Sequence, residues 1–492
     1  MKNKTLLWLT AAALLSFPGK QAAAAIINDF DSNFDGNSTT ANWNTASNWT
    51  LGNGTGTIPL TDEDKATVTA RTGGAQNLNV NVDGIHVGEL EYKGTSSGAQ
   101  RLTMANSLTV SYTFQADTLV KNGGFTLAIQ NGDQTGSPPS SLTVEVGNLY
   151  LNEGHMELGT TYSLGGFSVT DSSFIASGRK LFLAGVQGNR IELGHVTMSG
   201  GYLVLGGRGY SSGIMAVSSL TGSGYVEVSD SATHNGTAGT LEINSSNATP
   251  ATFSGILRNQ SRPEDPAVLT VVKKGAGTQI LSRAAGNTYT GNTTIEGGVL
   301  AVTNTSGSGL GAGTVEVKAS GVLAGSGFIA PGAGQGLVVQ TGGAVAPSAH
   351  LSSGLATLTL NGVNNSGGTP PLLDMKEGSF FTIRFGTGNQ SDSIAFQNYF
   401  EGGWEMFSGG IALNGLNVQE GSFTLFTFNS IADSEIDSLT SLLRVGSGFS
   451  GYDADFSWSG DSILLGVSIV PEPGILGLLA AGVLLSCLRR RR

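Results

Sequence analysis

A short glycine-led motif recurs along the chain at almost constant spacing, and this recurrence limits the folds that the chain can adopt. The motif occupies residues 298–301, 321–324 and 343–346, at spacings of 23 and 22 residues. Two or three short strands with tight corners make one coil of this length, and glycine takes the positive φ of such corners without steric cost. The spacing therefore predicts a parallel β-helix over roughly residues 30–365, with stacked coils of about 20 to 25 residues.

The composition is typical of many short strands joined by tight turns. Gly accounts for 74 of the 492 residues, charged residues for 12% and apolar residues for 39%. Glycine and asparagine favour turns, while valine and threonine favour strands. The apolar share is sufficient for a core, so the composition predicts an all-β protein rather than a disordered one.

The charge balance and the cysteine count exclude several kinds of partner and site. Without its basic ends the chain retains 18 basic and 35 acidic residues, a net charge of −17. Such an acidic body repels polyanions, so we expect no nucleic-acid partner. The one cysteine, Cys487, lies in the C-terminal apolar segment. The body therefore has no disulfide and no cysteine-based metal site.

The N-terminus has the three parts of a secretory signal peptide. Lys2 and Lys4 precede an apolar run at 6–17, and small residues follow at 22–25. This order predicts a signal peptide over residues 1–25 that is cleaved near Ala24 or Ala25. The apolar run is too short for a permanent anchor.

The C-terminus combines a Pro-Glu-Pro triplet, an apolar run and an arginine cluster, in that order. These are Pro471, Glu472 and Pro473, residues 475–488, and Arg489, Arg490, Arg491 and Arg492. The run of 14 residues is shorter than the ~20 that span a bilayer comfortably. We expect a single transmembrane helix whose arginines stay in the cytoplasm as a membrane stop, with the body outside.

Residues 469–492 resemble the PEP-CTERM sorting signal in the order of these three elements. The resemblance implies an exosortase-type sorting enzyme as a partner and cleavage near the triplet. It also implies that the protein is anchored only transiently in the inner membrane. Its destination would then be the cell surface or the extracellular matrix.

A second resemblance lies in the middle of the chain. Lys273-Lys274-Gly275-Ala276-Gly277-Thr278 precedes Asn287-Thr288-Tyr289-Thr290-Gly291 and then Gly298-Val299-Leu300. These motifs resemble the autotransporter-associated β-strand repeat, although Gln279 stands where that repeat has an apolar strand residue. The resemblance implies a right-handed parallel β-helix, the architecture of autotransporter passengers.

Changes in amino-acid composition and motif content along the chain suggest five segments. After the signal peptide come N-terminal β-helix coils at 26–265 and repeat coils at 266–365. Residues 366–468 are rich in phenylalanine and are interpreted as a β-rich capping module, and the sorting signal occupies 469–492. One helix is expected within the module, capped at Asp433-Ser434 and running from Glu435 to Leu443. Trp43 and Trp49 are interpreted as a cap over the first coil, with sugar stacking as the alternative.

The sequence offers no recognisable catalytic, cofactor or metal motif. The five histidines are scattered without metal-ligand spacing: His86, His155, His195, His234 and His350. We therefore expect an exported, non-catalytic surface or matrix protein with a structural or adhesive role, in contact with extracellular polysaccharide. The alternative is a β-helical polysaccharide lyase or hydrolase, whose site needs clustered acids on neighbouring coils, with a basic residue for a lyase.

Overall fold

A computed structural model describes most of the body and neither end of the chain. The described residues are 27–30, 40–42, 50–51, 65–70, 76–81, 83–94, 98–104, 111–131, 141–159, 164–184, 190–206, 212–231, 234–263, 266–364 and 370–470. For the first three of these ranges the description is limited to the backbone.

The described residues form 42 strands and one helix. The first strands are β1 (Ile27–Phe30), β2 (Thr40–Asn42), β3 (Thr50–Leu51), β4 (Lys65–Ala70), β5 (Gln76–Val80), β6 (Ile85–Gly94), β7 (Gln100–Met104), β8 (Tyr112–Lys121), β9 (Thr126–Gln130), β10 (Leu142–Leu151), β11 (His155–Leu158), β12 (Gly166–Ile175), β13 (Lys180–Leu183), β14 (Arg190–Glu192) and β15 (His195–Val204). The next are β16 (Ser212–Val217), β17 (Ser219–Glu227), β18 (Ser229–Ser231), β19 (His234–Asn235), β20 (Ala238–Asn244), β21 (Ala251–Phe253), β22 (Ile256–Leu257), β23 (Val268–Lys274), β24 (Thr278–Leu281), β25 (Thr293–Ile295), β26 (Gly298–Val302), β27 (Val315–Val317) and β28 (Gly321–Gly325). The last are β29 (Phe328–Ile329), β30 (Leu337–Val339), β31 (Ala344–Val345), β32 (Thr357–Asn361), β33 (Leu373–Met375), β34 (Phe380–Gly386), β35 (Gln390–Ser391), β36 (Ser393–Gln397), β37 (Trp404–Met406), β38 (Ile411–Leu416), β39 (Gly421–Phe428), α1 (Asp433–Leu442), β40 (Leu443–Val445), β41 (Tyr452–Ser459) and β42 (Ser462–Ile469).

The strands stack in parallel as a right-handed β-solenoid with three faces. We call them A, B and C in the order in which the chain visits them within a coil. In one coil, residues 142–146 lie on face A, 148–151 on face B and 155–158 on face C. The all-β parallel solenoid expected from the sequence is therefore confirmed.

Three ladders of hydrogen-bonded strands run along these faces. Face A runs through β6, β8, β10, β12, β14, β16, β20, β23, β25, β27, β30, β33 and β37. Face B continues from β1 to β40. Face C runs from β2 to β22 and resumes as β29, β32, β36 and β39.

The glycine-led motif marks equivalent positions in successive coils. Residues 298–302 pair position by position with residues 321–325, and Val322 pairs with Ala344. Other coils are longer than the predicted 20 to 25 residues, since Thr118 pairs with Asn148, 30 residues later. The extra residues lie between β9 and β10, outside the strands. The period therefore holds where the corners are short and fails where a loop is inserted.

Apolar residues from all three faces fill the interior of the solenoid. Within one coil Val144, Leu149, Leu151 and Met156 have no exposed surface. Burying a side chain of this size contributes about 1.5–3 kcal/mol. One core runs through all the coils, because each coil covers the apolar side of its neighbour.

The phenylalanine-rich segment contains the last parallel coils and a closing sheet. Faces A and B continue through it as far as β37 and β40. Face C then ends in antiparallel pairing of β42 with both β39 and β41. The edge strand β41 exposes Asp453 and Asp455, and such charges on an edge discourage pairing with another chain.

The one helix of the described residues lies where the sequence predicts it, with different ends. It begins at Asp433 after Ala432, which provides no side-chain cap. It ends at Leu442 because Leu443 is already extended as the first residue of β40. The expected capping role of Asp433 and Ser434 is therefore wrong, although the acidic Asp433 and Glu435 do lie in the first turn.

Candidate functional site

The lysine of the repeat motif is a buried structural cation. Lys273 has no exposed surface, and its ammonium donates to the carbonyls of Lys274 (2.6 Å), Gly275 (2.9 Å) and Gly297 (3.1 Å). Gly297 belongs to the next coil, so a single side chain holds two successive corners together. Burial lowers the pKa of Lys273 to about 8.

A second buried lysine donates hydrogen bonds to backbone carbonyls at another corner. Lys121 is fully buried and donates to the carbonyls of Gly123 and Glu153, the latter at 3.3 Å. Its Nζ atom also lies 3.7 Å from the ring centroid of Phe125. Burial lowers the pKa of Lys121 to about 7. Sequence reasoning missed this lysine, although the Lys-x-Gly spacing of the repeat motif recurs there.

The asparagine–tyrosine turn of the repeat also has a structural role. The Asn287 side chain accepts the N–H of Leu257 at 2.9 Å and donates to the carbonyl of Gly309 at 2.7 Å. The hydroxyl of buried Tyr289 is hydrogen-bonded to Thr293 at 2.6 Å. Burial raises the pKa of Tyr289, so the phenol stays neutral. The two Asn287 bonds hold neighbouring coils in register, whereas the Tyr289 bond stabilises the turn within its own coil.

Four side chains from successive coils form a continuous stack on face C. Lys180, Tyr202 and Tyr225 occupy one in-register column, and Arg258 follows on the next coil. The tyrosine rings are 4.4 Å apart and 10° from parallel. Lys180 lies 5.0 Å from one ring centroid and the Arg258 guanidinium 4.6 Å from the other. Because both outer ring faces are covered by cations, neither is open for stacking on a sugar.

Two buried carboxylates pair with the cations at the ends of this stack. Asp230 Oδ2 lies 2.5 Å from Lys180 Nζ, and Glu227 Oε2 lies 2.7 Å from Arg258 Nε. The two carboxyl side chains are only 3% and 0% exposed. Burial raises the pKa of Glu227, although the Arg258 charge acts against this. In the described part of the molecule, Glu227 Oε1 is buried without a hydrogen-bond partner.

A histidine completes this cluster of titratable side chains. His155 lies directly opposite Lys180 on the neighbouring strand and packs edge-on against Phe182, with ring centroids 6.2 Å apart. Burial, together with the nearby positive charges of Lys180 and Arg179, lowers the pKa of His155. The imidazole is therefore neutral at pH 7. The cluster escaped the sequence analysis because its members are scattered over about a hundred residues.

A separate open cleft follows the corner between faces A and B. Its volume is about 300 Å³, and the acids that line it are Asp117, Glu145 and Asp171. His86 Nε2 is hydrogen-bonded to Asp117 at 2.8 Å, and Gln115 donates to Glu145 at 2.8 Å. No lysine or arginine is among the described residues that line this cleft. It is therefore an acidic, solvent-open groove.

Comparison with known families identifies one matching segment. The family model of the passenger-associated-transport-repeat matches residues 271–302, the coil whose lysine, asparagine and tyrosine hold the corners. No curated protein matches the chain. A β-solenoid with a passenger repeat fits an exported, surface-associated, passenger-like protein.

The residues predicted to direct export and sorting lie outside the described part of the chain. This applies to Ala24 and Ala25, to the 471–473 triplet and to the 489–492 arginines. Within residues 27–470 as described, no helix combines the length and apolarity needed to cross a membrane. Over the same residues, no three His, Cys, Asp or Glu side chains are grouped as metal ligands.

Proposed function

We propose that this protein is an exported, non-catalytic component of the cell surface or extracellular matrix, with a structural or adhesive role. The observation that carries the proposal is the passenger-repeat coil, which lies within a continuous parallel solenoid. The repeat's own polar residues are used to hold coils together, so the family resemblance supports a scaffold rather than a reaction.

The outer surface supports the same role. Side chains of adjacent coils hydrogen-bond each other in short ladders: Ser172 donates to Asn148 at 2.6 Å, and Asn152 donates to Asn122 at 2.9 Å. Such ladders satisfy polar groups without recruiting a partner and add to the lateral order of the strands. Polysaccharide would then bind at exposed sites such as the acidic cleft, where its hydroxyls would donate hydrogen bonds to carboxylate and amide oxygens.

The sorting route is part of the proposal. The PEP-CTERM-like tail would be read by an exosortase-type enzyme after transient anchoring in the inner membrane, and the body would be released to the surface. The closing sheet supports this order of events, because β42 ends at Ile469 and only Val470 separates it from Pro471. The described part of the body thus extends to the residue before Pro471.

The proposed role is tested with intact cells and with the purified body, residues 26–469. Antibodies against the body should label intact cells or their matrix. The body should also be retained by the cells' own matrix polysaccharide without releasing oligosaccharides from it. Labelling only after the cells are broken open, together with no retention, would contradict the proposal.

A polysaccharide hydrolase is the second candidate, and the acidic cleft is the observation that favours it. Asp117 and Asp171 lie on strands two positions apart on the same corner. At about 4.8 Å per strand this places them roughly 10 Å apart, near the upper limit for an inverting acid–base pair. A lyase has less support, since neither lysine nor arginine is among the described residues that line the cleft. Oligosaccharide release that disappears in Asp117→Asn would establish the hydrolase instead.

A further inference from the structure

We propose that Lys180 and Asp230 form a spontaneous isopeptide bond, an amide that joins Lys180 Nζ to Asp230 Cγ. The two side chains approach to 2.5 Å between Nζ and Oδ2. Because Cγ is bonded to Oδ2, the amine lies close to the ~3–3.5 Å from which a nucleophile adds to a carbonyl carbon. The bond would be a covalent modification of the body itself, independent of its ligand or sorting route.

The reaction needs no external reagent. The ammonium and carboxylate first exchange one proton and become a neutral amine and a neutral carboxylic acid. The amine then adds to Cγ, and the Cγ–O bond breaks to release water. Of the three ammonium protons, one remains on the amide nitrogen and two leave with the carboxyl oxygen as water. No atom is oxidised or reduced.

The two side chains lie in a site that is largely shielded from water. The Asp230 side chain is 3% exposed, and Lys180 is 29% exposed beneath the face of Tyr202. A charged pair removed from water loses much of its hydration energy, whereas an amide loses little. A well-hydrated ion pair keeps its hydration energy, so condensation to an amide is not favoured in this way. Lys376 and Asp374 are also 2.5 Å apart, but Lys376 is 48% exposed, so this pair serves as an internal control.

Glu227 provides the electrostatic setting for the bond. It is fully buried three residues before Asp230, and its Oε1 atom has no hydrogen-bond partner among the described residues. The charge of Asp230 contributes to raising the pKa of Glu227, after the larger effect of burial. Two carboxyls that repel each other in a dry site favour the protonation of one of them. Glu227, whose pKa is the one that is raised, is thus a positioning residue that can hold a proton beside Asp230.

The bond would close a loop of 50 residues across successive coils of face C. A cross-link of this length restricts the unfolded chain, as a disulfide does. The body contains no cysteine, since Cys487 is the only one in the chain. An isopeptide bond would provide a covalent constraint that neither needs cysteine nor can be reduced.

The test is intact mass spectrometry of the purified body, residues 26–469, followed by peptide mapping. We expect a mass lower than the sequence mass by one water, and a branched peptide that joins Lys180 to Asp230. The Lys376 and Asp374 peptides should be linear. A full sequence mass, or a branch at Lys376 instead, would overturn the proposal.

Four variants examine the chemistry. Asp230→Asn should lose ammonia instead of water, and Lys180→Arg should retain its full mass. Glu227→Gln keeps the shape but removes the carboxyl that can exchange a proton, so the cross-linked fraction should fall at least about tenfold at a fixed time. Glu227→Asp should restore much of it. An undiminished cross-link in Glu227→Gln would remove Glu227 from the proposal, and a mass loss that persists in Lys180→Arg would refute the bond.

Discussion

The side-chain amide of Gln279 forms hydrogen bonds to both the N–H and the C=O of Leu220, a residue 59 positions earlier in the chain. The two bonds are 3.1 and 2.8 Å long and lie in the dry interior, where Gln279 has no exposed surface. Between them β21 pairs with β17 only at Gly222 and Phe253. The glutamine therefore replaces the backbone partner that Leu220 would have in an uninterrupted ladder.

Replacing this glutamine by leucine should destabilise the protein, even though leucine fits the repeat pattern better. Gln279→Leu leaves two buried backbone groups without partners, at a cost of about 1–3 kcal/mol each. We expect urea unfolding to show a loss of about 2–4 kcal/mol. The exposed Gln390→Leu is the control and should change stability by less than about 0.5 kcal/mol. Equal stability of Gln279→Leu and the wild type would show that the amide bonds contribute nothing.

The buried ammonium of Lys273 should make stability depend on alkaline pH. Burial lowers the pKa of Lys273 to about 8 in the folded protein, below the value of about 10.4 in the unfolded chain. Between these values the unfolded chain binds more protons, so this residue's contribution to stability increases as the pH rises from 8 to 10.4. The slope approaches about 1.4 kcal/mol per pH unit.

The measurement compares wild type and Lys273→Met by denaturant unfolding at several pH values. The difference in stability between them should change by about 2–3 kcal/mol across this window. Lys274→Met is the matched control, because that side chain is 36% exposed and paired with Glu242. Its difference from the wild type should show no comparable rise. A constant difference for Lys273→Met would mean that the carbonyls keep the ammonium charged throughout.

Alanine substitutions at two glycines with positive φ distinguish the destabilising effect of steric crowding from that of backbone strain. At Gly325 (φ 122°) an added Cβ would lie 1.9 Å from the carbonyl oxygen of Val302, whereas at Gly334 (φ 72°) it meets nothing within 4 Å. Gly334→Ala should cost about 1 kcal/mol from strain alone. Gly325→Ala should cost about 3 kcal/mol or more, because the Val302 backbone must move. Thermal unfolding of both variants checks this, and equal costs would contradict the crowding.

The sorting triplet should control where the protein ends up. Replacing Pro471, Glu472 and Pro473 by alanine should leave uncut protein in the inner membrane of a host that contains the sorting enzyme. The wild type should lose its tail and reach the surface. Mass spectrometry of the mature C-terminus distinguishes these outcomes, with a variant that changes only Asp461 in the β41–β42 turn as the control. Surface-exposed wild type that still carries Arg492 would contradict the sorting mechanism.

The parallel solenoid was predictable because its corners constrain the sequence. The equivalent glycines Gly298, Gly321 and Gly343 recur because an added Cβ would lie only 2.4, 2.3 and 2.7 Å from a backbone carbonyl oxygen of the preceding coil. That recurrence exposes the period. The lysine and tyrosine of the repeat were recognised as a pattern. The role of Lys273 in holding the carbonyls of two coils was not, because it depends on a contact with Gly297 that only the folded coil creates.

The charged cluster was not predictable from the sequence. Lys180 and Asp230 meet because the coils between them have particular lengths, and those lengths depend on loops that carry no periodic signal. Gln279 appeared to depart from its repeat for the same reason, since its partner Leu220 lies well before the matched segment. Patterns along the chain reveal local geometry, but they do not reveal which side chains share a column on distant coils.

The position of β42 has a mechanical consequence. This strand ends at Ile469, two residues before Pro471 of the proposed sorting signal, and it is hydrogen-bonded along both edges, to β39 and to β41. A pull along the strand from a tethered C-terminus would therefore shear both rows of bonds together, rather than open them one after another. If the tail anchors the protein in the membrane as proposed, the antiparallel sheet would resist tension from the tail before the solenoid coils are pulled apart.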